Sequence, residues 1–156
     1  MEIDIAVNCP GWPDPAHLED LTGKAVSAAI RAARLKMPRH CELSMVFCSD
    51  AEIRDVNKQW RGQDKATNVL SFPAQDIKPG GKAGAMLGDI VLALETIQAE
   101  SALEGKPFDH HLTHLVVHGF LHLFGYDHMD EQEALVMEGH ESAAMMLLGL
   151  DDPYAE

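Results

Sequence analysis

Residues 113–128 read THLVVHGFLHLFGYDH, and the fold turns on how this stretch is read. Six of the chain's nine histidines lie between residues 110 and 128. His118 and His122 are four residues apart. On an α-helix that spacing stacks two side chains on one face, one turn apart. Gly125 suits the left-handed backbone conformation that ends a helix. Beyond it the chain can turn and carry His128 back toward the same point. The stretch therefore predicts a helix over 108–124, a glycine stop and a returning histidine. His111, His114, His118 and His122 share one stripe, so a solvated polar helix face is the plain alternative. The full triple HxxxHxxGxxH, helix stop included, weighs against it.

Three neutral imidazoles with an open fourth position are the arrangement of a catalytic zinc site. A structural site would normally close with a fourth protein ligand, often Cys, and no Cys lies near this segment. The expectation is one zinc ion per chain on His118, His122 and His128, its last position open to water. The spacing matches the zinc segment of the metzincin proteases, HExxHxxGxxH. Here the residue after the first His is Gly119. The Glu that serves those proteases as general base is missing. A metzincin-like metallopeptidase therefore stays only as an alternative.

Working outward, helices are predicted on both sides of this segment, at about 94–104 and 130–148. Gly105 and Pro107 separate the first of them from the histidine helix. The earlier part of the chain alternates strands and helices. EIDIAV (2–7), ELSMVFC (42–48), NVLSF (68–72) and GDIVLA (88–93) read as strands. Residues 16–36 carry Ala and Leu at helical spacing, and Ser49 or Asp50 can cap a helix running to about Trp60. Residues 61–67 are polar and read as a loop, as does the Gly- and Pro-containing stretch 74–87. Sheet elements followed by helices indicate an α+β fold, a single domain over 1–156 with one mixed four-stranded sheet packed against about five helices and a zincin-like metal helix.

The 156 residues suit one domain, and 46% hydrophobic content argues against disorder. No apolar run of about 18 residues occurs, so no membrane span is expected. The start, MEIDIAVNCP, lacks the features of a signal peptide, which suggests a cytoplasmic protein. Cys9, Cys41 and Cys48 form no CxxC pair and read as reduced, mostly buried residues. The formal net charge of −13, from 25 acids against 12 bases, argues against broad binding to nucleic acid.

The wider text resembles the YbeY family of bacterial rRNA maturation factors (endoribonuclease YbeY). The match lies in NKQWRGQDKATNVLSFP (57–73), LGDIVLA (87–93), THLVVHGFLHLFGYDH (113–128) and LLGLDDPY (147–154). It covers roughly residues 40–154, with only loose agreement before that. The resemblance implies a metal-dependent endoribonuclease specific for single-stranded RNA. It also implies a role in 16S rRNA 3′-end maturation and ribosome quality control, with the small subunit, ribosomal proteins and an assembly GTPase as partners. The family's metal ligands fall on His118, His122 and His128, and its functional arginine falls on Arg61. A ribosome-assembly factor with a structural metal is the other reading.

RNA cleavage needs a nucleophile, charge stabilisation at phosphorus and protonation of the leaving oxygen. Arg61 offers a planar fork of donors for phosphate, and Lys65 is a candidate to assist from the same loop. His114, one turn before His118, is a candidate proton shuttle. Asp127 is a candidate to orient an imidazole, and Asp89 a candidate to approach the cleft. Ser71 and Phe72 lie on the third strand, with Phe72 read as core. The last helix is expected to bury Leu135, Val136, Met145, Leu147 and Leu148 and to turn Glu131, Glu133, Glu138 and Glu141 to water. With so acidic a surface, RNA specificity is expected from a narrow cationic cleft near Arg61, from protein partners, or from both.

Overall fold

Strand alternation sorts the apolar side chains onto the two faces of one sheet. The computed structural model describes residues 1–155. In chain order the elements are β1 (Glu2–Val7), α1 (Pro15–Ala33), β2 (Glu42–Cys48), α2 (Asp50–Arg61), β3 (Val69–Pro73), β4 (Met86–Ala93), α3 (Leu94–Glu104), α4 (Phe108–Leu123) and α5 (Glu131–Leu147). The strand order is β1-β2-β4-β3. β1, β2 and β4 run parallel and β3 is antiparallel to β4, so the sheet is mixed as expected. The fold is α+β, with four strands and five helices.

Leu43, Met45, Phe47, Ile90 and Leu92 point from the sheet into the main core. They meet α1, α3, α4 and α5 there. Phe47, Phe120 and Phe124 are at most 1% exposed, and each contributes about 1.5–3 kcal/mol by burial. The opposite sheet face carries a smaller core of Cys48, Ile53, Leu70, Val91 and Ala93 beneath α2. Ser49 caps α2 by accepting from the Glu52 amide at 3.2 Å. Cys41 and Cys48 are buried and all three cysteines are free thiols. Among the described residues, no helix is long and apolar enough to cross a membrane.

α4 lies at the centre, packed against α1, α3, α5, β3 and β4. Gly119 sets how close it comes to the sheet. A Cβ there would meet Ser71 Oγ at 3.0 Å, Ile90 Cγ2 at 3.1 Å and Val69 Cγ2 at 3.3 Å. The Ser71 hydroxyl uses that closeness to donate to the Gly119 carbonyl at 2.9 Å. The position that holds Glu in the metzincin proteases is therefore a point of close helix–sheet contact in this chain.

Three expectations change. Helix α1 stops at Ala33 rather than residue 36, because Arg34 turns left-handed with φ 52°. Arg61 belongs to the last turn of α2, not to a loop; the left-handed Gly62 ends that helix. The buried face of α5 is Met137, Glu141, Ala144 and Met145. Leu135 (65% exposed) and Val136 (53% exposed) face outward, as does Leu147, while Glu141 is buried. The apolar stripe was phased on the wrong residues, since Met137, Glu141, Ala144 and Met145 recur at helical spacing and a carboxylate sits among them.

If Gly119 sets this approach, Gly119→Glu should lower unfolding stability by about 1–3 kcal/mol through overpacking. Urea denaturation followed by circular dichroism checks this, and a parental midpoint would refute it.

Candidate metal centre

The four-residue spacing on α4 stacks His118 and His122 with ring centroids 4.5 Å apart and their Nε2 atoms 3.0 Å apart. The helix then ends as the sequence suggested. Gly125 takes φ 89°, its amide donates to the His122 carbonyl at 3.1 Å, and the Tyr126 amide donates to the Leu121 carbonyl at 3.3 Å. The Ile77 carbonyl lies so near Gly125 that a Cβ would overlap it. The turn brings the His128 ring to 5.2 Å from His122 and 5.6 Å from His118. Asp127 braces it, accepting from the His128 amide at 2.8 Å. One ring nitrogen from each of the three histidines lies within 4.8 Å of the others. Among the described residues, no other group of His, Cys, Asp or Glu gathers in this way.

The protonation pattern suits a metal. His118 Nδ1 is 2.8 Å from Glu141 Oε1. An ionised carboxylate only accepts, so Nδ1 donates to it, and Nε2 is the ring nitrogen that faces His122 Nε2. Burial, and then the neighbouring His118, lower the pKa of His122 to about 4. Its ring is therefore neutral at pH 7, the form that ligates a metal. Burial works to raise the Glu141 pKa, but hydrogen bonds from His114 and His118 outweigh it and hold the carboxyl down at about 2. A set of three convergent imidazoles backed by a buried carboxylate fits a divalent metal ion.

The three histidines open onto a cleft of about 1240 Å³, walled by the edge strand β3, the segment after it and the start of α5. Arg61 lines the same cleft. Its Nη2 donates to the Ser71 carbonyl at 2.6 Å, and its guanidinium lies 5.2 Å from the centre of the Phe72 ring. Both contacts hold the charge in place while leaving further N–H donors free. Lys78 is the other basic residue on the walls. Asp76, Asp127 and Glu133 line the cleft too, so it is mixed rather than simply cationic.

The sequence model of the family described as endoribonuclease YbeY matches residues 14–149. The chain belongs to the endoribonuclease YbeY family. Among its relatives, endoribonuclease YbeY of Allorhizobium ampelinum is 52% identical over 159 residues, covering 99% of this chain and 95% of the relative. The Agrobacterium fabrum protein of the same name is 51% identical over 162 residues, with the same two coverages. That of Rhizobium meliloti is 50% identical over 161 residues, covering 100% of this chain and 96% of the relative. The solution structure of a Thermotoga maritima protein shares the fold, with a TM-score of 0.57 at 22% identity and 99% coverage of both chains. The YbeY match begins well before residue 40, so the family includes the N-terminal part that the quoted motifs left loosely matched.

Within this YbeY fold, Arg61, His118, His122 and His128 meet in one cleft. His114 is not on its walls: it sits behind the cluster, with Nε2 2.9 Å from Glu141 Oε1. Lys65 and Asp89 do not line the cleft either. Phe72 is half-buried and serves as the platform under Arg61. Sequence reasoning missed Glu141, Tyr154 and Lys78. For Glu141 a signal existed, because it shares helical spacing with Met137, Ala144 and Met145. Lys78 sits in a Gly-containing stretch, where no periodicity marks which side chains face inward.

Because Gly125 combines a positive φ with close approach of Ile77, Gly125→Ala should cost about 1–3 kcal/mol of stability. Thermal or urea unfolding reads this directly. A variant as stable as the parent would mean that the turn does not need glycine.

Proposed function

We propose that this protein is a metal-dependent endoribonuclease that cleaves single-stranded RNA in the cleft between α4, β3 and α5. One observation carries the reading: in a chain of the endoribonuclease YbeY family, three convergent imidazoles and an anchored arginine line the same cleft. His118, His122 and His128 are the proposed ligands of one zinc ion per chain. Among the described residues no fourth His, Cys, Asp or Glu joins the cluster. That favours an open, catalytic coordination position over a closed structural site. The peptidase alternative is disfavoured, because Gly119 replaces the general base and its Cα side is packed against β3 and β4.

A divalent ion held there supplies Lewis acidity at a phosphate oxygen. The chain's own groups bind and orient. Arg61, fixed from behind by Ser71 and Phe72, turns its remaining donors to the phosphate and stabilises charge developing at phosphorus. Lys78 adds a second cation. Asp76, Asp127 and Glu133 oppose these two, so without a metal the cleft carries more acid than base. A divalent ion reverses that local balance, which makes phosphate binding depend on metal in a chain of formal charge −13. His114, tied to Glu141 and off the cleft wall, is better suited to support the ligands than to shuttle protons to a substrate. The wider role we propose is 16S rRNA 3′-end maturation and ribosome quality control in the cytoplasm, with the small subunit and assembly proteins as partners.

A cleavage assay on a labelled single-stranded RNA tests this. Metal-depleted protein should be inactive and recover when zinc is restored. His118→Ala, His122→Ala and His128→Ala should each lose bound metal and activity together. Arg61→Ala should keep its metal but cleave on the order of 10²-fold more slowly. Parental cleavage by metal-depleted protein would sink the proposal, and parental cleavage by Arg61→Ala would remove Arg61 from it.

A further inference from the structure

Glu141 is an unusual residue for the middle of a packed helix face. It is 1% exposed, and three side-chain donors reach its carboxylate. Oε1 takes His118 Nδ1 at 2.8 Å and His114 Nε2 at 2.9 Å. Oε2 takes the Tyr154 hydroxyl at 2.8 Å. No Lys or Arg pairs with it among the described residues. An ionised carboxylate buried so deeply is strongly destabilising unless its oxygens are satisfied. Here the compensation comes from two imidazoles and one phenol.

The C-terminal segment is built to deliver that phenol. The Ser142 hydroxyl donates to Asp152 Oδ1 at 2.6 Å, and the Tyr154 amide donates to the same oxygen at 2.9 Å. The segment is thus pinned to α5 one residue beyond Glu141. The Tyr154 ring packs edge-on against His114, with centroids 5.6 Å apart. Burial and the Glu141 charge push the Tyr154 pKa upward, so the hydroxyl keeps its proton and can donate.

We propose that Glu141 is the positioning residue of the metal centre, and that Tyr154 locks it from the far side. The proposal rests on His118 being a metal ligand. A neutral imidazole has two tautomers, and only the one with its proton on Nδ1 leaves Nε2 free to bind an ion. Glu141 selects that tautomer and fixes the ring plane. Hydrogen bonds of this kind to ligand imidazoles are worth about 10–100-fold in metal affinity. His114 shares Oε1 and keeps the carboxylate from rotating away. The segment carrying Asp152 and Tyr154, far from the histidine motif in sequence, thereby completes the metal site.

The test compares zinc affinity, by competition with a chromophoric chelator, in the full-length parent and in Glu141→Ala, Glu141→Gln, Tyr154→Phe and His118→Ala. Urea unfolding of each metal-free variant is measured alongside. Glu141→Ala should lose about 10–100-fold in affinity. Glu141→Gln, which keeps an accepting oxygen, should fall between it and the parent, and Tyr154→Phe should lose several-fold. Nitrogen NMR of the metal-free parent should show His118 protonated at Nδ1, with that signature weakened in Tyr154→Phe. Glu141→Ala binding zinc like the parent while His118→Ala does not would overturn the inference and leave the ligand assignment standing. Parental affinity in His118→Ala would overturn the ligand assignment itself. If Glu141→Ala fails to fold, Tyr154→Phe decides: unchanged affinity and an unchanged His118 signal overturn the inference. Reduced stability of Glu141→Ala with parental affinity would assign Glu141 a purely structural role and also overturn the inference.

Discussion

How closely α4 approaches the sheet governs everything around the site. The helix is buried against three helices and two strands, and at Gly119 nothing separates its backbone from Ser71, Ile90 and Val69. A helix held on so many sides cannot rotate, so its one accessible stripe is fixed. That stripe carries His118 and His122. The same contact positions β3, whose Ser71 bonds to Gly119 through its side chain and to Arg61 through its carbonyl. One serine therefore links the histidine helix to the proposed phosphate-binding arginine. Such linked contacts hold a site within the tolerance that catalysis requires.

The second constraint is electrostatic. A chain with twice as many acids as bases is a poor general partner for RNA. The cleft does not escape this by excluding carboxylates, since Asp76, Asp127 and Glu133 lie on its walls. In the proposed function, its attraction for phosphate comes from Arg61, from Lys78 and from the charge of a bound ion.

Much of this was legible in the sequence because it is local. Strands at 2–7 and 42–48 follow from alternation and lie at those bounds. The pair His118 and His122 and the Gly125 turn follow from helical spacing and from glycine's access to positive φ. The proposed role of Arg61 rests on resemblance and on its basic loop, since nothing in an isolated arginine says that Ser71 and Phe72 will hold it. Long-range partners were illegible for the same reason. Glu141 was assigned to water because α5 carries Leu135, Val136 and Leu147 on its outer face, which blurred the phase of the buried stripe. Tyr154 follows Pro153 at the end of the chain, where sequence offers no periodicity to place it.

An open three-histidine site is the feature on which the proposed chemistry depends. X-ray absorption spectroscopy of the zinc-loaded protein measures it directly. The expected spectrum has three imidazole nitrogens at about 2.0–2.1 Å and one exchangeable light-atom ligand. A fourth protein ligand, a sulfur neighbour at about 2.3 Å, or fewer than three imidazoles would contradict it.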